Sequence, residues 1–132
     1  MAARGKVSDD VAGADAIVAR WTEPQRRLAA ACRATVRRAI PTMYERPYPG
    51  WNAVGFRDPQ AGYFAGIFPV AHGLDLVFEH GAAIEDADEL FAVRPTHRQI
   101  RVVEVRTLAD VRRAALAALL RRAVLHGSAK RR

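Results

Sequence analysis

The sequence predicts an α+β fold, a two-layer sandwich in which an antiparallel sheet of about four to five strands carries N- and C-terminal helices on one face. The stretch Gly62–Gly81 holds two runs rich in aromatic and β-branched residues on either side of Ala71-His72-Gly73, which is typical of a hairpin. Segments before and after the hairpin have apolar residues at helical spacing. The chain has 132 residues, 50% of them hydrophobic, which suffices for one domain with its own core.

The N-terminal third predicts two helices. Apolar residues recur at helical spacing from Asp10 to Trp21, which indicates a short first helix. Thr22 and Gln25 have the spacing of a capping box at the start of a second helix, and Pro41 ends that helix.

The second helix is amphipathic and is expected to lie on the sheet. Its apolar stripe comprises Leu28, Cys32, Thr35, Val36 and Ala39. The opposite side, expected to be solvated, carries Arg26, Arg33 and Arg37. Because Cys32 lies within the apolar stripe and is the only cysteine, we expect a buried, inert thiol and no intramolecular disulfide.

The strands are predicted from alternation and turn residues. Residues 41–50 contain three prolines and a glycine, so a loop is expected there, followed by a first strand at Trp51–Phe56. In the first run of the hairpin, alternation puts Tyr63, Ala65 and Ile67 on one face, and Phe64, Gly66 and Phe68 on the other. In the second run, one face carries Leu74, Leu76 and Phe78, and the other carries Asp75, Val77 and Glu79.

The C-terminal part predicts a loop, a strand and a helix. Residues Ala82–Pro95 form a long acidic loop with one helical turn at Asp86–Phe91, and His97–Val105 reads as the last strand. The final helix is expected at Leu108–Leu125, capped by Thr107 with Asp110 and ended by Gly127.

The ends of the chain predict tails. Residues 1–9 lack periodicity and predict a disordered tail, the domain is expected at 10–126, and 127–132 predicts a basic tail. The longest apolar run, 114–120, is too short to span a bilayer, and no apolar segment follows the charged N-terminus. We therefore expect a cytoplasmic protein without a membrane partner.

The charge is strongly basic, with a formal net charge of +7 and a pI near 10.7, which suggests a nucleic acid or another anion as partner. The cations are almost all arginine in an alanine-rich chain, a composition that a GC-rich genome produces without selection for binding. The charge is also segregated, because the arginines crowd the helical regions while residues 75–89 are acidic. These facts favour a solvated basic helix face over a nucleic-acid interface.

No motif in the sequence specifies a reaction. It has no glycine-rich phosphate loop and no paired cysteines, and its four histidines are scattered. No set of acid, base and nucleophile can be named, so enzymatic activity has the least support. The weak metal-ligand candidates are acidic: Asp75, Glu79, Asp86 and Asp88. They lack the alternating order and the glycine of a calcium loop.

Several segments together resemble the YdhG-like family of bacterial domains of unknown function, over roughly 17–125. The segments that carry the resemblance are Pro24–Leu28 with Ala39–Pro41, then Gly62–Gly81, then Arg98–Arg101 before Ala109–Val111. The resemblance implies a fold similar to frataxin. The sequence departs from the family at Ala92–His97, where relatives have a Gly-x-Gly-Lys-like turn, so an anion site at that turn is not expected here.

Three functions follow as hypotheses. The first is a small non-enzymatic binding domain for an anionic ligand or a protein partner, with Trp51, Tyr63, Asp75 and Arg101 on the exposed sheet face and with further candidates His72 and Arg98. The second, implied only by the frataxin-like fold, is iron handling, which the arginines of the main helix oppose by repelling cations. The third is nucleic-acid binding through the basic helix face.

Overall fold

The structure, a computed structural model, describes residues 9–94 and 98–130. A five-stranded antiparallel sheet forms one of its two layers. The strands lie in chain order: β1 (Tyr44–Tyr48), β2 (Ala53–Asp58), β3 (Gly62–Val70), β4 (Gly73–Phe78) and β5 (Arg101–Val105). The helices are α1 (Val11–Val18), α2 (Glu23–Ala39), α3 (Leu108–Val111) and α4 (Ala114–Lys130). The predicted α+β class is confirmed.

The helices cover one face of the sheet. The strand residues that join the helices in one apolar core lie on that face: Val54, Phe56, Phe64, Ala65, Ile67, Leu74, Leu76, Phe78, Val103 and Val105. Ala53 and Val102 are also buried, but they lie on the other face and outside this core. The molecule is therefore a two-layer sandwich, and none of the described helices lies on the other sheet face, called here the uncovered face.

Helix α2 forms as predicted. The Thr22 N–H donates to Gln25 Oε1 over 2.9 Å and the Gln25 N–H donates to Thr22 Oγ1 over 3.3 Å, which completes the capping box. Cys32 is fully buried in the apolar stripe, and burial raises the pKa of its thiol to about 12. The predicted inert thiol is thus consistent with its surroundings.

The first strand was missed, since β1 lies within the segment predicted as a loop. Among the described strands β1 is at the edge of the sheet and pairs with β2, and Pro47 lies opposite Val54. An edge strand accepts proline because one of its sides needs no N–H donor. The predicted strand start at Trp51 is also wrong: Pro49–Trp51 is a 3₁₀ turn, and β2 begins at Ala53.

A β-bulge in β3 changes the predicted faces. The register shifts between Phe56 and Arg57, so that Phe56 pairs with Ala65 while Arg57 pairs with Tyr63. The extra residue, Phe64, packs into the core. Tyr63 consequently lies on the uncovered face, and the expectation that it shares a face with Ala65 is wrong.

The predicted C-terminal helix is interrupted and longer than expected. It breaks after Val111, whose carbonyl accepts a 3.0 Å hydrogen bond from Thr35 Oγ1, and it restarts at Ala114. Gly127 does not end it: the helix continues to Lys130, and a Cβ at Gly127 would lie 2.9 Å from Ala61 Cβ. Glycine is required there by close packing.

The segment between β4 and β5 contains a 3₁₀ turn at Gly81–Ala83, and the helical turn predicted at Asp86–Phe91 is absent from it. β5 begins at Arg101, later than predicted, and His97 lies outside the described residues. Across 9–94 and 98–130, no helix has both the length and the apolarity of a bilayer span.

Candidate functional site

Two of the predicted site residues, Trp51 and Tyr63, come together on the uncovered face through Tyr48. The Tyr48 and Trp51 rings stack with centroids 5.5 Å apart and an interplanar angle of 26°. Tyr48 meets Tyr63 edge-on at 5.9 Å. We call these three side chains the aromatic strip. Sequence reasoning missed Tyr48 because it belongs to the strand that was predicted as a loop.

A pair of glycines beneath the strip allows the rings to lie against the sheet. Gly55 of β2 pairs directly with Gly66 of β3. A Cβ at Gly55 would overlap the Tyr48 ring, and a Cβ at Gly66 would lie 2.6 Å from the Tyr63 hydroxyl oxygen. Both positions therefore need glycine for the tyrosines to stay where they are.

Arg57 places a cation beside the strip. Its Nε donates to the Tyr44 hydroxyl over 3.2 Å and its Nη1 donates to the Tyr48 hydroxyl over 3.4 Å. Burial acts to lower the pKa of Arg57, but these hydrogen bonds outweigh it and raise the pKa above its ordinary value. Burial, with a smaller contribution from Glu79, raises the pKa of Tyr63, so its phenol stays protonated at neutral pH.

A cleft of about 510 Å³ lies between the end of α4 and the residues that flank β4 and β5. Its polar lining is His80, Arg98, Gln99, His126 and Lys130, and no carboxylate in the described part of the chain lines it. We call it the cationic cleft. The predicted site residue Arg98 belongs to it, whereas His80, His126 and Lys130 were not predicted.

The two histidines of the cationic cleft face each other. The ring centroids of His80 and His126 are 5.5 Å apart, with an interplanar angle of 53°. Burial lowers the pKa of His80, and the neighbouring His126 and Lys130 lower it further, while Glu79 acts in the opposite direction. Protonation of His80 is therefore disfavoured in the free protein.

A second, smaller cleft connects the cationic cleft to the aromatic strip. It has a volume of about 340 Å³ and shares His80 and Lys130 with the cationic cleft. Its other polar lining residues are Arg57, Tyr63 and Glu79. The strip and both clefts therefore form one continuous surface, in which Glu79 is the acidic group among several cations.

Asp75 lies on the uncovered face but belongs to a different cluster. It is directly opposite Glu104 in the β4–β5 register. Arg94 bridges the two carboxylates at 2.8 and 3.4 Å, and Arg106 does so at 3.5 and 3.7 Å. The arginines neutralise the repulsion between two like charges on adjacent strands, which gives this cluster a structural role.

The remaining predicted site residues are apart from Trp51 and Tyr63. Arg101 pairs in register with Phe78, on the helix-covered side, so the expectation that it joins the uncovered face is wrong. Its Nη1 donates to the carbonyl oxygens of Arg98 and Ile100 over 3.3 and 2.8 Å. His72 is exposed in the β3–β4 turn.

The acidic metal-ligand candidates do not converge. Asp86 accepts the N–H groups of Leu90 and Phe91, both over 2.8 Å, and so closes a turn. Asp75 is paired with arginines, Glu79 lines the second cleft, and Asp88 is exposed. Within the described residues, no group of three or more histidine, cysteine, aspartate or glutamate side chains could hold a metal ion.

Part of the basic face of α2 is occupied by carboxylates. Arg33 contacts Glu45 over 2.7 and 3.1 Å and Asp15 over 2.9 Å. Arg37 contacts Asp9 at 3.1 Å and Glu45 at 3.6 Å. Since the Arg33 side chain is only 15% exposed, the expectation that it is solvated is wrong.

Comparison with protein-family models, with curated proteins and with solved structures finds no match to this chain. The structure shows the fold class, an α+β two-layer sandwich, and the YdhG-like resemblance remains a prediction.

Proposed function

We propose that the protein is a binding domain for an anionic ligand, which it holds in the cationic cleft. The observation that carries this proposal is the cleft's polar lining of His80, Arg98, Gln99, His126 and Lys130 without a carboxylate among the described residues. These cations outnumber Glu79, the carboxylate of the adjoining second cleft, so they leave a positive potential that an anion relieves.

The cleft has suitable dimensions and donors. Its volume, about 510 Å³, is within the range of small-molecule sites. Arg98 offers a planar fork of N–H donors, and Lys130 offers a compact ammonium. The histidines supply neutral donors, so a phosphate or carboxylate group can be contacted from several sides. Gln99 Nε2 already donates to the Glu79 carbonyl oxygen over 3.1 Å.

The ion pairs of the molecule support the same location. Within the described ranges, neither Arg98 nor Lys130 takes part in a salt bridge, whereas Arg33 and Arg37 of α2 each contact two carboxylates. Within those ranges, the charges of Arg98 and Lys130 are therefore not neutralised by an ion pair, although both residues line the cleft.

Calorimetric titration with inorganic pyrophosphate tests the proposal. We expect saturable binding that weakens by about tenfold or more in Lys130→Glu and in Arg98→Glu, because a hydrogen bond to a charged group contributes that much. The matched control is Arg27→Glu, which reverses the charge of an exposed residue on α2, outside the cleft. Absence of binding by the wild-type protein, or an equal loss in the control, would overturn the proposal.

A further inference from the structure

Trp51, at one end of the aromatic strip, has a degree of exposure that core packing does not explain. Trp51 is 63% exposed, although its ring is held against Tyr48 at 5.5 Å. One face of the indole contacts Tyr48, and most of the remaining surface meets solvent. A fixed, exposed aromatic ring is a stacking surface for a planar ligand.

The sheet holds the strip in place. The Gly55–Gly66 pair allows the Tyr48 and Tyr63 rings to lie against the strands, and Arg57 fixes the Tyr48 hydroxyl. The rings are thus ordered before any ligand binds, which lowers the entropic cost of binding.

The strip leads directly into the cations. Tyr63 lines the second cleft together with Arg57, His80 and Lys130, and the cationic cleft follows with Arg98. Along this path, aromatic rings are therefore followed by positive charge. Single-stranded nucleic acids are bound by this combination of stacking rings and backbone-tracking cations.

We propose that the aromatic strip and the two clefts together bind a single-stranded nucleic acid, whose bases stack on Trp51 and Tyr63 and whose phosphates lie along Arg57, Lys130 and Arg98. The phosphate half of this inference rests on the proposed anion-binding function. The third sequence hypothesis placed nucleic acid on the basic helix face. The inference places it instead along the aromatic strip of the uncovered face and the clefts at the C-terminal end of α4.

The geometry requires a nucleic-acid ligand that is single-stranded and longer than one nucleotide. A duplex keeps its base faces inside the stack, where Trp51 cannot contact them, so the strand must be unpaired. Trp51 is separated from the cleft-lining Tyr63 by two ring steps of 5.5 and 5.9 Å through Tyr48. A base that stacks on Trp51 therefore belongs to a different nucleotide from the one whose phosphate occupies the cationic cleft.

Tryptophan fluorescence reports on this contact. The protein has two tryptophans, and Trp21 is 5% exposed with its Nε1 donating to Asn52 Oδ1, so Trp51 is the one that a ligand can quench. We expect an oligonucleotide of about eight uridines or thymidines, a typical site size, to quench the fluorescence with an affinity that falls steeply with salt.

Three further measurements make the test decisive. Trp51→Ala should weaken oligonucleotide binding, followed by calorimetry, about 5-fold to 100-fold. The same variant should leave pyrophosphate binding unchanged. The matched control is Leu125→Ala, which truncates an apolar residue on α4 that is 70% exposed. It should change neither the oligonucleotide affinity nor the pyrophosphate affinity.

The outcomes separate the two proposals. The inference is overturned if the oligonucleotide does not bind, if Trp51→Ala binds it as tightly as the wild type, or if a duplex of the same length binds equally well. Intact pyrophosphate binding in those cases leaves the proposed function standing. If the wild-type protein does not bind pyrophosphate, the proposed function itself is overturned.

Discussion

Two groups of basic residues in this protein cannot be told apart in the sequence, but in the structure one group contacts carboxylates and the other lines an open cleft. Arg33 and Arg37 of α2 contact the carboxylates of Asp9, Asp15 and Glu45. In the part of the chain that the structure describes, Arg98 and Lys130 of the cationic cleft form no salt bridge, although both line the same open space. Net charge thus indicates how many cations exist, and packing decides which of them can meet a ligand.

The difference arises from strand alternation in β1. Glu45 pairs opposite Phe56, on the helix-covered side, and is only 1% exposed. A buried carboxylate is costly unless a cation and hydrogen bonds compensate it, and Arg33 provides both. Arg33 and Arg37 are therefore needed by the fold, whereas Arg98 and Lys130 of the cleft are available to a ligand.

The largest expected effect is on the α2 side of this comparison. Arg33→Met leaves Glu45 buried with Arg37 at 3.6 Å, so we expect a loss of about 3–5 kcal/mol in the free energy of unfolding. The control Arg27→Met breaks an exposed pair with Glu23, in which both side chains are 64% exposed, and should cost less than about 0.5 kcal/mol. Urea titration measures both, and similar small losses in the two variants would mean that Arg33 is not structural.

The next effect concerns the wall of the cleft. Gly127→Val introduces a Cβ that lies 2.9 Å from Ala61 Cβ and 3.2 Å from its carbonyl oxygen, so α4 must shift. We expect a loss of about 1–3 kcal/mol in thermal or urea unfolding, together with weaker pyrophosphate binding. Ala129→Val, on the exposed side of the same turn, should change neither the stability nor pyrophosphate binding. Equal losses in Ala129→Val and Gly127→Val would show that close packing of α4 against Ala61 does not cause them.

The smallest effect is the pH dependence of His80. Because the pKa of His80 is lowered in the folded state, the unfolded chain binds a proton at a higher pH, near the ordinary histidine value of 6.5, than the folded chain does. The free energy of unfolding should therefore decrease below about pH 6.5, level off once folded His80 is protonated, and show no such contribution above that pH.

The charged groups around His80 set the expected binding response. Glu79, Arg98, His126 and Lys130 surround it, and a bound anion favours its protonated form. Sulfate, whose charge is constant in this range, should bind more tightly as the pH falls, and His80→Gln should reduce that dependence. Identical pH profiles of sulfate affinity in the two proteins would show that His80 does not face the anion.

Local chemistry in the sequence predicts much of the fold. The Thr22–Gln25 capping box and the strict alternation of β4 depend on neighbours in the chain, and both are confirmed. β1 was missed because Pro47 argued for a loop, although the alternation of Tyr44, Arg46 and Tyr48 was a signal for a strand. Gly127 was misread because only tertiary contact with Ala61 explains it.

The site was less predictable for the same reason. Trp51 and Tyr63 were selected as aromatic residues near the predicted sheet, and they do meet through Tyr48. His80 and His126, in contrast, come from distant parts of the chain, and Lys130 was assigned to a tail. Nothing local in the sequence indicates that these three residues share a cleft.

The most direct test of the central claim compares the two cationic regions within one wild-type sample. Backbone amide chemical shifts are recorded by NMR while inorganic pyrophosphate is added. The account predicts saturable changes concentrated at residues 80–83, 98–99 and 126–130, with little change along 26–37 of α2. Changes centred on α2, or spread evenly over both regions, would contradict it.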